Sequence, residues 1–171
     1  MLLTFSRKWS IICRYTYING EGAMIITFCG HAQFPYSEEY EKNVMAFLEE
    51  KVAYRSADMY LGGYGAFDSF AYRCSRKYKE THPNISLVLV TPYLNGNKLI
   101  TQRERYDSVL YPEIEDKPKR FAITYRNMYM VEKADYVVAY VSHDWGGAYA
   151  TYKYAKRIGK KIFNLADFEK N

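Results

Sequence analysis

The chain has 171 residues and a formal net charge of +5 at pH 7, with 49% hydrophobic and 25% charged residues. These proportions are typical of one globular domain with a sizeable core, and they exclude a disordered chain and a membrane protein. No apolar run in the sequence is long enough to cross a bilayer. We therefore expect a cytoplasmic protein with no membrane partner.

The cysteines and the basic residues exclude two further classes of site. Cys13, Cys29 and Cys74 are widely spaced and lack the CxxC or Cys/His spacing of a zinc site. The sequence thus predicts reduced thiols, with neither a metal nor a cofactor. The basic residues are spread out, which disfavours a nucleic-acid partner and leaves phosphorylated small ligands open. One basic cluster is interpreted as a solvated helix end: Lys156, Arg157, Lys160 and Lys161.

The first 23 residues differ from the rest of the chain. They lack the continuous apolar centre of a signal peptide, whereas Met24 opens a buried-strand pattern, "MIITFCGHAQF". The codons of Glu21-Gly22 can form a purine run that resembles a ribosome-binding site. We expect residues 1–23 to be a leader, with one domain over residues 24–171. Mass spectrometry of the natively expressed protein tests this prediction, and a dominant N-terminus at Met1 would contradict it.

From Met24 onward, apolar runs suited to strands alternate with stretches of helical spacing. Ser37 is the predicted N-cap of the first helix, with Tyr40 and Glu41 in the first turn. The run "ISLVLVT" is apolar on both faces, as a central parallel strand should be. In chain order, the predicted elements are strand Ile25–Cys29, helix Ser37–Glu50, strand Ala57–Leu61, helix Phe67–Lys79, strand Ile85–Thr91, helix Arg120–Lys133, strand Tyr136–Val141, helix Gly147–Ile158 and strand Lys161–Leu165.

This alternation predicts an α/β fold, a Rossmann-like three-layer α/β/α sandwich with a mostly parallel five-stranded sheet. The segment Tyr93–Lys117 interrupts the pattern, because it is polar and contains Asn95 and Gly96. A connection of this length is typical of a lid or an interaction surface. The sequence contains no internal repeat and no sign of a second domain.

Three turns fall at the predicted carboxyl ends of strands. They are Gly30-His31, Gly62-Gly63-Tyr64-Gly65 and "SHDWGG" at Ser142–Gly147. In α/β sheets, ligands bind at this edge, where helix N-termini present N–H groups to anions. The turns match neither the P-loop nor the GxGxxG dinucleotide motif. Together they predict cradles for a phosphate, with a tight corner between strand and helix as the structural alternative for each.

These residues resemble those of the SLOG superfamily, whose members include the Lonely Guy (LOG) nucleotide phosphoribohydrolases. The similarity covers essentially Met24–Leu165 and extends to small stand-alone SLOG proteins. "ITFCGHAQF" is similar to the FCGS-type first strand, "YLGGYGAFDSFAY" to the glycine-rich turn, and "ISLVLVTPY" to the third strand. "RNMYMVEKADYVVAYVSHDWGGAYATYK" occupies the place of the RK..M...AD......PGGxGTxxE block. The resemblance implies a Rossmann-like fold and a nucleotide-like phosphate ligand.

The sequence departs from the family pattern at positions that matter for catalysis. In the hydrolases, an Arg of the RK pair and the Glu of PGGxGTxxE carry cleavage of the N-glycosidic bond. Arg126 is present here, but Asn127 replaces the Lys, and Lys153 stands at the place of the Glu. An ammonium group cannot replace a carboxylate that stabilises an oxocarbenium-like centre. Hydrolysis of the family type is therefore disfavoured, and Arg126 and Asp68 are candidate catalytic residues only if the chain is an enzyme with a relocated acid.

Each candidate ligand contact also has a structural alternative. Asp68 is predicted to accept from a ribose hydroxyl or to cap its helix. Arg126 suits a bidentate contact with phosphate or a bridge to an acidic residue. Trp145 suits stacking on a base or packing under a lid, as do Tyr64 and Tyr93, and His143 with Asp144 form a candidate acid/base pair. The predicted ligand-binding set is Gly30, His31, Gly62, Gly63, Tyr64, Gly65, Asp68, Thr91, Pro92, Arg120, Arg126, Asn127, Trp145, Gly146 and Gly147.

The sequence predicts a sensor or sequestering module that binds a nucleoside monophosphate or an ADP-ribose-like ligand. One alternative is a nucleoside-monophosphate phosphoribohydrolase, which would release free base and ribose 5-phosphate. The other, known elsewhere in the superfamily, is single-stranded DNA binding, which would depend strongly on salt and on Lys156 and Arg157. Tyr125 and Tyr129 on one helix suggest a homodimer.

Overall fold

A computed structural model describes residues 22–94 and 104–170, and within them six strands form one sheet. Most of the predicted leader lies outside the described residues, as do Cys13, Asn95 and Gly96. In chain order, the elements are β1 (Met24–Gly30), α1 (Glu38–Lys51), β2 (Ala57–Leu61), α2 (Ala66–Thr81), β3 (Ile85–Val90), β4 (Ser108–Leu110), α3 (Ala122–Lys133), β5 (Tyr136–Tyr140), α4 (Gly146–Arg157) and β6 (Lys161–Asn164). Short 3₁₀ helices cover Lys119–Phe121 and Leu165–Lys170.

The strands run parallel in the order β4-β3-β2-β1-β5-β6. The chain builds outward from β1 through β2 and β3 to β4, and then returns to place β5 on the other side of β1. In the register, Thr27 of β1 lies between Tyr60 of β2 and Val137 of β5. The reversal between β1 and β5 is a topological switch point, where the carboxyl ends of neighbouring strands open a crevice.

Both faces of the sheet are covered by helices, because the central strands are apolar on both sides. On one face, Ile26 and Phe28 of β1 belong to a core shared with α1 and α2. On the other face, Cys29 packs in a cluster with Val131 of α3 and Ala155 of α4. The sequence therefore predicted the α/β class and the parallel sheet correctly.

The sheet has six strands in the described residues, whereas the sequence predicted five. The additional strand, β4, has only three residues and lies inside the segment Tyr93–Lys117. It is anchored by Asp107, whose Oδ2 accepts from the backbone N–H of Leu87 at 2.6 Å, and by Thr91 N–H, which donates to Leu110 O at 2.9 Å. A strand this short carries no readable period of two, so the sequence pattern did not reveal it.

The other element bounds agree with the sequence to within about two residues. Ser37 caps α1 as predicted, because its Oγ accepts from the backbone N–H of Tyr40 at 3.2 Å. The helix expected to start at Arg120 begins instead at Ala122, after the 3₁₀ turn that follows Pro118. The α-helical conformation thus starts at Ala122, which is buried.

Candidate functional site

A cavity of about 460 Å³ opens at the carboxyl edge of the sheet, over the switch point between β1 and β5. The end of β1, one side of α3 and the loop before α4 contribute to its wall. All three predicted turns contribute residues, and the volume is suitable for a ligand the size of a nucleotide. The predicted residues that line the cavity are Gly30, His31, Gly62, Tyr64, Asp68, Arg126, Asn127, Trp145, Gly146 and Gly147.

Gly30 ends β1 at a point where Phe67 of α2 packs directly on the backbone. A Cβ atom at Gly30 would lie 2.3 Å from Phe67 Cγ, well inside contact distance. Phe67 is 1% exposed, so the core around it prevents its ring from moving aside. The absence of a side chain at Gly30 therefore has a packing reason, and the close approach brings the first turn of α2 against the cavity.

We expect Gly30→Ala to lower the free energy of unfolding by about 1–3 kcal/mol, the usual cost of overpacking a core. Chemical denaturation measures this loss. Gly147→Ala is the matched control, since among the described residues no atom beyond its chain neighbours and its own helix backbone lies within 4 Å of the added Cβ. The double variant Gly30→Ala/Phe67→Leu should recover part of the loss, and a Gly30→Ala protein as stable as wild type would contradict this account.

The turn after β2 is a tight corner that also faces the cavity. The backbone N–H of Tyr64 donates to Asp68 Oδ2 at 2.7 Å, and that of Ala66 donates to Ala32 O at 3.1 Å. Gly65 has a φ of +93°, a conformation that glycine adopts without strain. Two of the amides in this turn are thus used within the fold. Asp68 caps the turn with one carboxylate oxygen while it lines the cavity.

Arg126 lies beneath the cavity and is 2% exposed. Its Nη1 donates to the carbonyl oxygens of Gly62 at 2.8 Å and Val90 at 2.9 Å, so it joins α3 to the ends of β2 and β3. Burial lowers the pKa of Arg126, and the charge of Asp68 acts in the opposite direction. An arginine stays protonated at neutral pH even so. The guanidinium is therefore a fixed positive charge under the cavity, held by backbone carbonyls.

The N-terminus of α4 opens toward the cavity. In the described structure its N-cap residue, Trp145, makes no capping hydrogen bond with its side chain. Gly146 has a φ of +84°, and both Gly146 and Gly147 line the cavity. The first N–H groups of a helix have no partner within the helix and carry a partial positive charge. This end of α4 is consequently suited to an anionic group such as a phosphate.

Three aromatic rings stack beside that helix end. The ring centroids of His31 and His143 lie 3.4 Å apart, and those of His143 and Trp145 lie 3.9 Å apart. His31 is 6% exposed and Trp145 is 68% exposed, so this ring stack runs from the interior to the surface. Burial, followed by the neighbouring His143, lowers the pKa of His31. His143 thus pairs with His31, whereas Asp144 is absent from the described cavity lining.

A short hydrogen-bond chain orients the first turn of α4 relative to α3. Asn127 Nδ2 donates to Thr151 Oγ1 at 3.3 Å, and Thr151 Oγ1 donates to the carbonyl of Gly147 at 2.9 Å. Asn127 was a predicted contact, and Thr151 was missed. A threonine four residues after a glycine at a helix start is the signal that would have revealed it, since the i and i+4 positions meet on one helix face.

Some predicted contacts do not belong to the described cavity lining: Gly63, Gly65, Thr91, Pro92 and Arg120. The Thr91 hydroxyl donates to the carbonyl of Tyr93 at 2.9 Å. Arg120 lies over the Phe121 ring at 4.7 Å. Lys153, which the sequence resemblance aligns with the glutamate of the hydrolases, is exposed on α4 and likewise falls outside the lining that the described residues form. The exposed ammonium group is thus kept apart from the cavity.

The sequence also missed lining residues that carry no motif. Cys29, Gln33 and Ile123 line the cavity, and nothing in their spacing marked them. Burial, with a smaller effect of the Asp68 charge, raises the pKa of the Cys29 thiol to about 12. Since the thiolate is the reactive form of cysteine, this thiol is not a nucleophile at neutral pH.

Two classes of feature are absent from residues 22–94 and 104–170. In these ranges, no group of three or more His, Cys, Asp or Glu side chains is placed to hold a metal ion. Nor does any helix of the described chain combine the length and apolar character needed to cross a membrane.

Comparison with known proteins gives structural neighbours. No family model matches the chain, and no curated protein matches it significantly. The structure of DNA processing protein A from Streptococcus pneumoniae is 17% identical, with a TM-score of 0.57 over 83% of this chain and 50% of that one. The Helicobacter pylori protein of the same name, described with a single-stranded DNA binding mode, is 17% identical, with a TM-score of 0.57 over 82% of this chain and 64% of that one.

A third neighbour, the structural genomics target TM1055, is 15% identical, with a TM-score of 0.52 over 81% of this chain and 72% of that one. The chain spans 50% and 64% of the two DNA processing proteins. Identities this low establish the fold alone, because one fold supports many functions. Together with the strand order, these neighbours show that the chain has a Rossmann-like α/β fold.

Proposed function

We propose that the chain binds a nucleotide-derived anion, a nucleoside monophosphate or an ADP-ribose-like molecule, and acts as a sensor or sequestering module. The observation that carries this proposal is the open N-terminus of α4 at the switch point, where Gly146 and Gly147 line a nucleotide-sized cavity. Main-chain N–H groups at a helix start bind phosphate without any charged side chain of their own.

The charges around the cavity favour an anion beside α4. Arg126 supplies a fixed positive charge from below, although its Nη1 is committed to two carbonyl oxygens. In this proposal Arg126 sets the electrostatic potential at the cavity, and its Nε, which has no hydrogen-bond partner among the described residues, is available as a donor. The partial charge of the α4 N-terminus adds to it. Both contributions act on the same ligand group.

The remaining parts of a nucleotide have candidate contacts at the cavity wall. Asp68 can accept from a ribose hydroxyl in addition to the Tyr64 N–H, since a carboxylate offers about four acceptor positions. The indole of Trp145 is 68% exposed and lines the cavity, which suits stacking on a base. Sugar and base thus each have a candidate contact at the cavity wall.

The lining favours binding over hydrolysis. Among the described residues, Asp68 is the only carboxylate that lines the cavity, and it already accepts from the backbone N–H of Tyr64. Lys153, where the family has its glutamate, is exposed outside the cavity. An enzyme would therefore have to use Asp68 to cleave the N-glycosidic bond. The variant Asp68→Asn distinguishes a hydrolase from a binding protein.

A thermal-shift panel with the full chain tests the proposed function. The probes are AMP, ADP, ADP-ribose, NAD, cyclic nucleotides and a short single-stranded DNA, and each mixture is analysed afterwards for released base. We expect AMP or ADP-ribose to raise the melting temperature without products, because a ligand at 100 times its Kd stabilises the native state by about 2.7 kcal/mol. A panel in which no nucleotide raises the melting temperature would contradict the proposal. Base release that is lost in Asp68→Asn would assign the chain to the hydrolases instead.

Single-stranded DNA binding is a second candidate, favoured by the exposed face of α4. This face presents Lys153, Lys156 and Arg157, and two of these cations lie over rings of the same helix, Tyr152 at 4.6 Å and Tyr154 at 5.0 Å. Two of the structural neighbours are DNA processing proteins, so they give no support to the expectation that a nucleic-acid partner is disfavoured. Oligonucleotide binding that weakens with salt and is lost in Lys156→Ala/Arg157→Ala would support this function. Nucleotide binding unchanged in the same variant would support the cavity.

A further inference from the structure

Two imidazole nitrogens in the cavity wall lack partners. Among the described residues, neither His31 Nε2 nor His143 Nδ1 has a hydrogen-bond partner, although both atoms are buried. Both side chains line the cavity, and His31 is 6% exposed. Nearly all buried polar atoms in folded proteins are hydrogen-bonded. A group that occupies the cavity is the natural partner for these two nitrogens.

The fold fixes both rings at the switch point. His31 directly follows β1, and its backbone N–H donates to the carbonyl of Tyr140 at the end of β5, at 3.2 Å. His143 follows β5 by three residues and precedes α4 by three. The imidazole pair therefore lies beside the helix N-terminus at which the proposed function places the phosphate.

The free protein cannot easily charge both rings. Their centroids are 3.4 Å apart, and two positive charges at such a distance repel each other strongly in a poorly solvated site. Burial lowers the pKa of His31, His143 lowers it further, and a hydrogen bond with the backbone of His143 acts in the opposite direction. On the outer side of His143, the ring of Trp145 stacks at a centroid distance of 3.9 Å.

Other charged and titratable groups lie around the two histidines. Asp68 and Arg126 carry opposite charges and line the same cavity. The Cys29 thiol, with a pKa of about 12, does not titrate near neutral pH. Two tyrosines lie nearby: Tyr64 from the turn after β2 lines the same cavity, and the ring of Tyr140 of β5 is edge-on to His31 at 6.4 Å.

We propose that His31 and His143 take up one shared proton from solvent as the anion enters the cavity, so that ligand affinity rises as the pH falls. This inference rests on the proposed function. An anion beside the pair favours the protonated state, and the protonated ring then donates a charge-assisted hydrogen bond to the ligand. His31 and His143 thereby contact the ligand directly and make its binding depend on pH near neutrality.

The pH dependence of stability has opposite signs in the free protein and in the ligand-bound protein. In the free protein, the pKa of His31 lies below that of the unfolded chain, so the unfolded chain binds the proton first. His31 therefore makes the free protein less stable as the pH drops below about 6.5. Ligand stabilisation runs the other way, because the bound state takes up the proton.

Isothermal titration calorimetry with the full chain tests this coupling. ADP-ribose is the main probe, since its two phosphate groups keep a constant charge near neutral pH, and AMP is the second. Titrations at pH 7 in two buffers of different ionisation enthalpy count the protons taken up. We expect uptake of up to about one proton per ADP-ribose, with affinity about three- to tenfold tighter at pH 6.5 than at pH 7.5.

Histidine variants assign the proton. The sequence has three histidines, and His82 is the matched control, because it stacks on Tyr78 and lies 3.3 Å from Glu49, outside the described cavity lining. We expect His31→Gln and His143→Gln to lose both the proton uptake and the pH dependence, and His82→Gln to keep both. Because His143 is only half-buried, His143→Gln can be used for the same measurement if His31→Gln does not fold.

The outcomes separate the two proposals. ADP-ribose or AMP binding without proton uptake would overturn this inference and leave the proposed function standing. Uptake that persists in both His31→Gln and His143→Gln would also overturn it. Titrations in which neither probe binds would overturn the proposed function, and this inference with it.

Discussion

Replacing Gly147 with aspartate is expected to lower the affinity for ADP-ribose by about a hundredfold or more while the protein becomes more stable. Gly147 lies in the first turn of α4 and lines the cavity, and around it the described structure leaves open space for a side chain. A carboxylate there would occupy the anion position and repel a phosphate. A hundredfold loss corresponds to about 2.8 kcal/mol, roughly the worth of one or two charge-assisted hydrogen bonds.

The same substitution should stabilise the helix for two reasons. A negative charge in the first turn of a helix contributes about 0.3–1 kcal/mol, and replacing glycine removes the backbone-entropy cost that glycine carries in a helix. The expected result is a higher melting temperature without ligand and little or no shift with ligand. These opposite changes are informative, because a variant that only damaged the fold would lose both stability and ligand binding.

Ala150→Asp is the control for charge. Ala150 is exposed on the same helix, and the described lining of the cavity does not include it. The Ala150→Asp substitution adds the same carboxylate a few residues further along α4. We expect its affinity for ADP-ribose to stay within about threefold of wild type, because exposed charges are screened. Equal losses in Gly147→Asp and Ala150→Asp would show that overall charge, not the helix N-terminus, governs binding.

Arg126→Ala is expected to lower the free energy of unfolding by about 2–4 kcal/mol. The guanidinium is 2% exposed, and its Nη1 donates to the carbonyls of Gly62 and Val90. Alanine would leave these two acceptors without this donor, and a buried acceptor that loses its partner costs about 1–3 kcal/mol. It would also leave the Asp68 charge without the neighbouring cation that opposes it. Urea denaturation measures the loss.

Arg120→Ala is the matched control, since Arg120 lies over the Phe121 ring near the surface and is exposed. We expect its stability to stay within about 0.5 kcal/mol of wild type. Arg126→Lys should recover little of the lost stability, because a lysine lacks the planar guanidinium with its fixed set of donors. An Arg126→Ala protein of unchanged stability that loses only ligand binding would contradict the structural role and favour a direct contact with phosphate, as the sequence suggested.

The glycines illustrate how much of the site can be predicted from sequence. The pattern placed all three turns at the carboxyl edge, because strand and helix periods fix which ends of the strands precede helices. It could not distinguish the reasons for each glycine. Gly30 is needed for contact with Phe67, Gly65 for its positive φ, and Gly147 lies beside open space in the described structure.

Strand order and side-chain burial could not be predicted from the sequence, for physical reasons. The position of β5 beside β1 is a long-range pairing, and periodicity contains no information about which strands become neighbours. The stacking of His31 on His143 depends on that pairing. Arg126 was predicted to contact the ligand because of its position in the resemblance to the hydrolases, and the sequence did not show that α3 would bury it with Nη1 against carbonyl oxygens. The short β4 was missed because three residues carry too little pattern.

A two-dimensional ¹H–¹⁵N NMR titration of the full chain with AMP and ADP-ribose tests most directly whether the nucleotide binds at the switch point. We expect the largest amide shifts at the start of α4, at Gly146, Gly147 and Ala148, with accompanying shifts at His31. Shifts confined to the exposed basic face of α4 at residues 153–157, or spread evenly over the chain, would contradict a nucleotide site at the switch point.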